Sequence, residues 1–269
     1  MKKTVTRFLL LLGGVFLVSG CTVLVDDTEV MDTIQTAAMN NQRLENGRFE
    51  FLLETDAAGE EKNIHQKTGG SFVKKTDGSY DWYYFTHFPG KYQLISSELV
   101  EKNRKQYQKV VVDPLEKAEW EPVSVPLRSF EGTMDALFEP QLKKSEIDAI
   151  AVNEEETGMV YLLTMNASYV ERMKMEHINE LKRLMKTLEK SETEAWMIEN
   201  MEKQVEQMEE TDYENFVITY VVDENECLSN VRYASSVTMP EGNSVRFEKS
   251  HSLVEYNVSN PSTLLPSIP

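Results

Sequence analysis

Apolar and polar residues alternate along most of the chain beyond residue 47, with the two-residue period of half-buried β-strands. The strongest case is Tyr80–Phe88, where aromatic side chains fall on both faces of the predicted strand. Asp77-Gly78, just before it, is a pair typical of two-residue hairpin turns. Gly69-Gly70 interrupts the preceding strand and predicts a β-bulge. The predicted strands span residues 48–55, 64–75, 80–88, 91–100, 105–112, 147–152, 159–165, 213–222, 228–238 and 244–256.

Three stretches have a helical period instead. Residues 27–45 predict an opening helix, residues 128–138 a short one, and residues 167–209 two helices joined at 189–192. The apolar stripe of the first helix of this pair consists of Val170, Met173, His177, Leu181, Leu184 and Leu188. That of the second consists of Ala195, Ile198, Met201, Val205 and Met208. The remaining faces are basic in the first helix and acidic in the second, which favours antiparallel packing of the two.

The order of these elements indicates the fold class. Runs of strands joined by tight turns, with helices gathered in a few places, are typical of an α+β protein with an antiparallel sheet. A parallel nucleotide-binding sheet would need regular alternation of strands and helices, which the pattern lacks. We expect one domain over residues 27–257, with residues 167–209 as a helical insertion. The proline-containing residues 258–269 are expected to form an irregular tail.

The N-terminus has the pattern of an export signal. The basic residues Lys2, Lys3 and Arg7 precede an 11-residue apolar run, Phe8–Val18. This run is too short to span the roughly 30 Å hydrocarbon core and is typical of a signal peptide. Val18-Ser19-Gly20-Cys21 follows and resembles the bacterial lipobox. That resemblance implies a signal peptide over residues 1–20 and a diacylglyceryl group on the Cys21 thiol.

Lipidation at Cys21 predicts where the protein resides. Two acyl chains give stable anchoring, at about 0.8 kcal/mol per buried CH₂ group. The mature protein would then be held on the outer face of the cytoplasmic membrane, with residues 21–26 as lipidated N-terminus and tether. The alternative is an ordinary secreted protein in which Cys21 has no special role.

The net charge and the absence of known motifs argue against several classes of function. The 269-residue chain carries 45 acidic and 28 basic residues, a net charge of −17, which argues against nucleic-acid binding. The four histidines do not have the spacing of a zinc site, and no nucleophile-elbow, Walker or dinucleotide-binding motif occurs. We therefore expect no metal, no cofactor and no enzymatic activity.

Two binding functions remain open. Six of the 13 methionines lie between Met173 and Met208, and methionine suits surfaces that accept varied apolar shapes. With the aromatic strand 80–88, they predict a cavity for a lipid or other amphiphile between sheet and helices. The candidate cavity residues are Trp82, Tyr84, Tyr92, Tyr161, Met173, Met201 and Met208. Ordinary core packing would explain the same pattern, and the protein would then be an acidic surface module for a cationic protein, peptide or wall polymer.

The order of elements resembles that of the half-barrel lipoprotein-carrier superfamily, which includes LolA and the mycobacterial LppX-type lipoproteins. The resemblance rests on the lipobox leader, opening helix, strand meander, inserted helix pair and three closing strands. Phe216–Met239 (FVITYVVDENECLSNVRYASSVTM) is similar to the closing hairpin of that superfamily. The chain is also similar to lipoproteins of Gram-positive bacteria. The resemblance implies a curved antiparallel half-barrel of about 9–11 strands, with helices on its concave face and an apolar cavity between them.

Overall fold

The computed structural model describes residues 26–57, 63–88, 95–111, 118–123, 128–188, 195–238 and 244–268. The helices are α1 (Asp27–Asn41), α2 (Phe130–Phe138), α3 (Ala167–Leu188) and α4 (Ala195–Glu210). The strands are β1 (Asn46–Ala57), β2 (Asn63–Lys74), β3 (Tyr80–Phe88), β4 (Ile95–Lys102), β5 (Lys105–Val111), β6 (Glu121–Pro122), β7 (Ile147–Glu155), β8 (Gly158–Met165), β9 (Asp212–Val222), β10 (Leu228–Thr238) and β11 (Ser244–Tyr256). One-turn 3₁₀ helices occur at Lys144–Glu146 and Pro261–Thr263.

Within the described residues, 11 strands form one antiparallel sheet with the order β6-β5-β4-β3-β2-β1-β11-β10-β9-β8-β7. Most neighbours in space are also neighbours in sequence, as expected for hairpin-connected strands. The exception is the pairing of β1 with β11, which joins the first half of the chain to the last across eleven residue pairs from Gly47 to Ala57. The predicted α+β class, with a large open antiparallel sheet and helices against it, is confirmed.

Helices α1 and α2 cover the middle of one sheet face. The apolar side of α1 is buried through Val30, Ile34 and Ala37, and Asp26 begins the helix by accepting a hydrogen bond from the Thr28 amide. Asn41, at the end of α1, is completely buried and has three partners. Its amide nitrogen donates to the Leu137 and Leu228 carbonyls, and its carbonyl accepts from the Leu228 amide. One side chain therefore fixes α1 to both α2 and β10.

The core under α2 is aromatic. The Phe130 ring lies 5.2 Å from Phe72 and 4.2 Å from Tyr80, measured between ring centroids. Trp82 is completely buried beside the same phenylalanine, at 6.3 Å. The alternation of β3 explains this arrangement, because every second side chain of the strand faces the helices.

The two adjacent glycines of β2 serve a different purpose from the predicted bulge. Gly69 and Gly70 pair regularly with both neighbouring strands, and the register shift between β1 and β2 occurs elsewhere, at Leu53/Glu54. A Cβ atom on Gly69 would lie 2.6 Å from the Phe85 ring, and one on Gly70 would collide with Phe49. The glycines are needed because aromatic rings cross the strand there. The prediction of a bulge at Gly69-Gly70 is therefore wrong.

Helices α3 and α4 follow β8 and precede β9, as the predicted helical pair does. Their mutual contact is a small apolar cluster formed by Ile178, Leu181 and Val205. Asn166 begins α3 by accepting hydrogen bonds from the Ser168 and Tyr169 amides. No helix within the described residues is long and apolar enough to cross a membrane.

The segment after β11 lies against the sheet. The Asn46 side chain accepts a hydrogen bond from the Val258 amide. Leu264 is buried, and its carbonyl accepts a hydrogen bond from the Ser71 hydroxyl. Apart from the single 3₁₀ turn, this segment is irregular up to residue 268.

Candidate ligand-binding cavity

A cavity of about 540 Å³ lies between the sheet and the N-terminal half of α3. Small-molecule sites occupy roughly 300–1,000 Å³, so this volume suits a ligand. Its walls come from strands β1, β9, β10 and β11 and from helices α2, α3 and α4. The lining residues are Leu53, Asp135, Ala136, Val170, Met173, Lys174, His177, Met208, Tyr213, Phe216, Tyr233, Ser235, Phe247, Lys249 and His251.

The floor of the cavity follows from the period of β11. Phe247, Lys249 and His251 lie two residues apart, so they share the face that α3 covers. On one side, Lys249 pairs with Leu53 of β1, and on the other with Tyr233 of β10. The floor therefore combines apolar and aromatic side chains with one lysine and one histidine.

A bulge in β9 adds a second aromatic residue to the wall. Tyr213 and Phe216 are three residues apart and would face opposite sides of a regular strand. Asn215 has a positive φ of 52°, and the register between β9 and β10 shifts at this point. An extra residue in one strand reverses the facing of the residues beyond it. Both Tyr213 and Phe216 consequently line the cavity.

His251 is the unusual polar group of the floor. It is 4% exposed, and neither ring nitrogen has a hydrogen-bond partner among the residues that the structure describes. Its ring lies 4.4 Å from Phe51 and 6.0 Å from Tyr233, measured between centroids. Burial, together with the nearby Lys249 ammonium, lowers the pKa of His251 to about 3. The imidazole is therefore neutral near pH 7, with one donor and one acceptor nitrogen that the protein leaves unused.

Lys249 brings a positive charge to the same floor. Lys249 lines the cavity and is accessible to solvent. Partial desolvation lowers the pKa of Lys249, and the Asp135 carboxylate opposes that shift. Among the described residues, none forms an ion pair or hydrogen bond with its ammonium group. A charge in this position is available to a ligand.

Helices α3 and α4 form the side of the cavity opposite the sheet, which we call its roof. Polar contacts hold this roof in place at each end. Arg172 of α3 forms an ion pair with the buried Glu146, with 2.7 Å between Nη2 and Oε2. Lys174 donates to the Glu209 and Thr211 carbonyls, at 2.8 and 3.3 Å, and so ties α3 to the end of α4. These contacts position Met173 and His177 over the floor.

The structure brings together two of the seven residues predicted for the cavity. Met173 and Met208 line it. Met201 packs against the cluster between α3 and α4. Trp82, Tyr84 and Tyr161 are buried in the main hydrophobic core and do not line the cavity. Tyr92 lies outside the described residues, as do Cys21 and the predicted signal peptide.

His177 also departs from the prediction of a buried stripe. It is exposed at the cavity, and the neighbouring Ile178 is buried instead. The physical reason is that α3 has two partners. Near its start it faces the cavity through Val170 and Met173, whereas further along it packs on α4 through Ile178 and Leu181. A single stripe cannot describe a helix whose neighbour changes along its length.

Sequence reasoning missed Lys249 and His251. A lysine and a histidine two residues apart in a strand, with Phe247 on the same face, were the available signal. Within the described residues, no group of three or more His, Cys, Asp or Glu side chains could hold a metal ion. The cavity wall combines apolar and aromatic side chains with two lysines, one aspartate and two histidines.

No family model matches the sequence, and no curated protein sequence matches it either. Among solved structures, the chain is similar to LprF from Mycobacterium bovis, with 10% identity over 87% of this chain and 97% of that chain and a TM-score of 0.34. It is similar to a LolA superfamily protein from Nitrosomonas europaea, with 8% identity over 90% and 98% of the two chains and a TM-score of 0.26. A DUF1329 family protein from Desulfovibrio piger has 11% identity over 88% and 99%, with a TM-score of 0.25.

Proposed function

We propose that this protein is a lipid-anchored, extracytoplasmic lipoprotein that binds a hydrophobic or amphiphilic ligand between its sheet and helix α3. The observation that supports the binding function best is the cavity itself. It has about 540 Å³ of space, and nine of its fifteen lining residues are apolar or aromatic. Ligand sites typically combine these properties.

The roof of the cavity supports a ligand of variable shape. Met173 and Met208 contribute unbranched, polarizable side chains that adapt to different apolar surfaces. Met173 is 37% exposed, so part of its surface has no protein neighbour to pack against. A core residue of this size would be covered on all sides.

The anchoring part of the proposal rests on the N-terminal sequence. The charged start, the apolar run and Cys21 together form the pattern of a lipoprotein leader. A lipid on Cys21 would hold the cavity close to a membrane, which is a source of amphiphiles.

Organic extraction of the purified full chain, followed by mass spectrometry, tests the binding function. We expect about one amphiphile per protein. Met173→Trp should fill the roof and reduce the amount of co-purified ligand. The matched control is Met175→Trp, since Met175 is 45% exposed on the same helix and does not line the cavity. Equal ligand content in both variants would contradict the proposed site.

The acidic surface supports the competing function. Helix α4 exposes Glu202, Glu206 and Glu209, and the whole chain carries a net charge of −17. If extraction yields no ligand and a cationic protein or wall polymer binds in a salt-sensitive manner, the surface module is the better description.

A further inference from the structure

The floor of the cavity contains a polar subsite that an apolar ligand would not need. Lys249 and His251 lie on the same face of β11, two residues apart, and both line the cavity. Burying a histidine without hydrogen bonds costs free energy, because its ring nitrogens lose water and gain nothing in return. A ligand that supplies a polar group at this place would recover that loss.

The charge of the subsite is opposite to that of the protein. The whole chain has a net charge of −17, whereas the described cavity wall carries two lysines and one carboxylate, Asp135. One of these lysines, Lys174, already donates to two backbone carbonyls. The Lys249 ammonium has no such partner among the described residues. With Asp135 close enough to raise the pKa of Lys249, the described wall carries one more positive charge than negative.

We infer that the cavity selects an anionic amphiphile, whose carboxylate or phosphate group binds to Lys249 and accepts a hydrogen bond from the His251 ring. The inference rests on the proposed function and adds the chemical class of the ligand's polar end. The apolar part of the ligand would contact Leu53, Phe247 and Met173, which surround the subsite. Asp135 lies on the wall formed by α2 and disfavours a second negative charge there.

Competition for a fluorescent probe tests the inference. The probe is dansylated undecanoic acid, and the protein is the full chain with Cys21→Ala in detergent-free buffer, so that neither detergent nor its own lipid competes. Dodecanoate, dodecyl phosphate, dodecanol and dodecyltrimethylammonium have the same chain and differ in the polar end. We expect the anions to displace the probe at concentrations about tenfold or more below those of dodecanol, because a hydrogen bond to a charged group has about that effect.

Variants then assign the preference to the subsite. Lys249→Met keeps the length and apolar stem of the side chain but removes the ammonium group, so anions should lose their advantage while dodecanol binds as before. Lys249→Arg should retain the preference. The control is Lys67→Met, which removes an ion pair with Glu50 on the opposite face of the sheet and should change nothing. His251→Phe keeps the ring packing on Phe51 and should weaken the binding of the anions more than that of dodecanol, whose hydroxyl group accepts a weaker hydrogen bond.

The outcomes distinguish amphiphile binding as such from selection of an anionic polar group. If no chain-bearing compound displaces or binds, both the proposed function and this inference fail. If dodecanol binds as tightly as the anions, or Lys249→Met preserves their advantage, the cavity binds amphiphiles but the anionic subsite is refuted. If only dodecanoate or only dodecyl phosphate is preferred, the subsite stands and its natural ligand carries that group.

Discussion

Arg172 donates two parallel hydrogen bonds to Glu146, each 2.7 Å long, from Nε to Oε1 and from Nη2 to Oε2. Glu146 ends the one-turn helix before β7, and its side chain is 7% exposed. Arg172 belongs to the first turns of α3, next to Met173 on the cavity roof. This ion pair therefore fixes the roof to the edge of the sheet.

Glu146→Gln should loosen the roof and lower the free energy of unfolding by about 1.5–3 kcal/mol, the usual effect of losing a hydrogen bond to a charged group. Arg172 lowers the pKa of Glu146, mainly through these hydrogen bonds. The stabilisation by the pair is therefore complete above the ordinary glutamate pKa of about 4.5 and disappears as the pH falls through the lower folded value. Denaturant titrations of both proteins between pH 7 and pH 3 would measure the difference.

The matched control is Glu199→Gln. It removes an ion pair with Lys203 in which both side chains are more than half exposed. Exposed pairs contribute roughly 0–1 kcal/mol, so this variant should unfold almost as the wild type does. Equal effects of the two substitutions would show that the Arg172 pair has no special role.

His251→Phe should flatten the dependence of stability on pH below neutrality. The pKa of buried His251 is lowered to about 3, from an ordinary value of 6.5. Between these values the unfolded state binds a proton that the folded state excludes, so stability is lost as the pH falls from about 6.5 towards 3. The slope from one such group is at most about 1.4 kcal/mol per pH unit.

Unfolding free energies measured between pH 7 and pH 5 isolate this effect, because most carboxylates titrate at lower pH. His251→Gln is the matched comparison. It removes the titration without restoring an aromatic ring against Phe51, so it should lower stability and flatten the slope equally. A slope that persists in both variants would assign the pH dependence to another group.

The sequence predicts strands better than cavities, for a physical reason. The ends of β3, β10 and β11 coincide with the predicted bounds, because alternation and turn residues are local properties. Which face of a strand becomes core and which becomes cavity depends on the helix that covers it. Trp82 faces α2 and is buried, whereas Lys249 faces α3 and borders empty space.

Two features of the site could not be predicted from the sequence for a related reason. The bulge at Asn215 changes which side chains face inward, and a single asparagine in an apolar strand is a weak signal for it. The exchange of roles between His177 and Ile178 depends on where α4 begins to contact α3. Both are consequences of tertiary packing, which periodicity along the chain does not encode.

Cys21→Ala should release the protein from the membrane fraction. The prediction follows from the lipobox-like sequence, since two acyl chains on Cys21 would provide stable anchoring. Cell fractionation with detection of the protein in membrane and soluble fractions is the measurement. Cys227→Ala is the control, because this buried cysteine lies before β10 and is not part of the leader. A Cys21→Ala protein that remains as firmly bound as the wild type would refute the lipid anchor.

Gly70→Ala should destabilise the sheet beside the aromatic core. A Cβ atom at this position would collide with the Tyr83 carbonyl oxygen and the Phe49 ring, and neither can withdraw freely, because one is backbone and the other is buried. Inserting a methyl group into a packed site typically costs 1–3 kcal/mol, and we expect a loss of about that size in denaturant titrations. Gly132→Ala is the matched control. Gly132 lies in α2, where the nearest atom to an added Cβ is the Ser129 hydroxyl oxygen at 3.1 Å. Alanine favours helix over glycine by about 1 kcal/mol, so that variant should be as stable as the wild type or more so. If Gly70→Ala behaves like Gly132→Ala, the strand tolerates a side chain, and the close crossing of Phe49 over β2 is not required for folding.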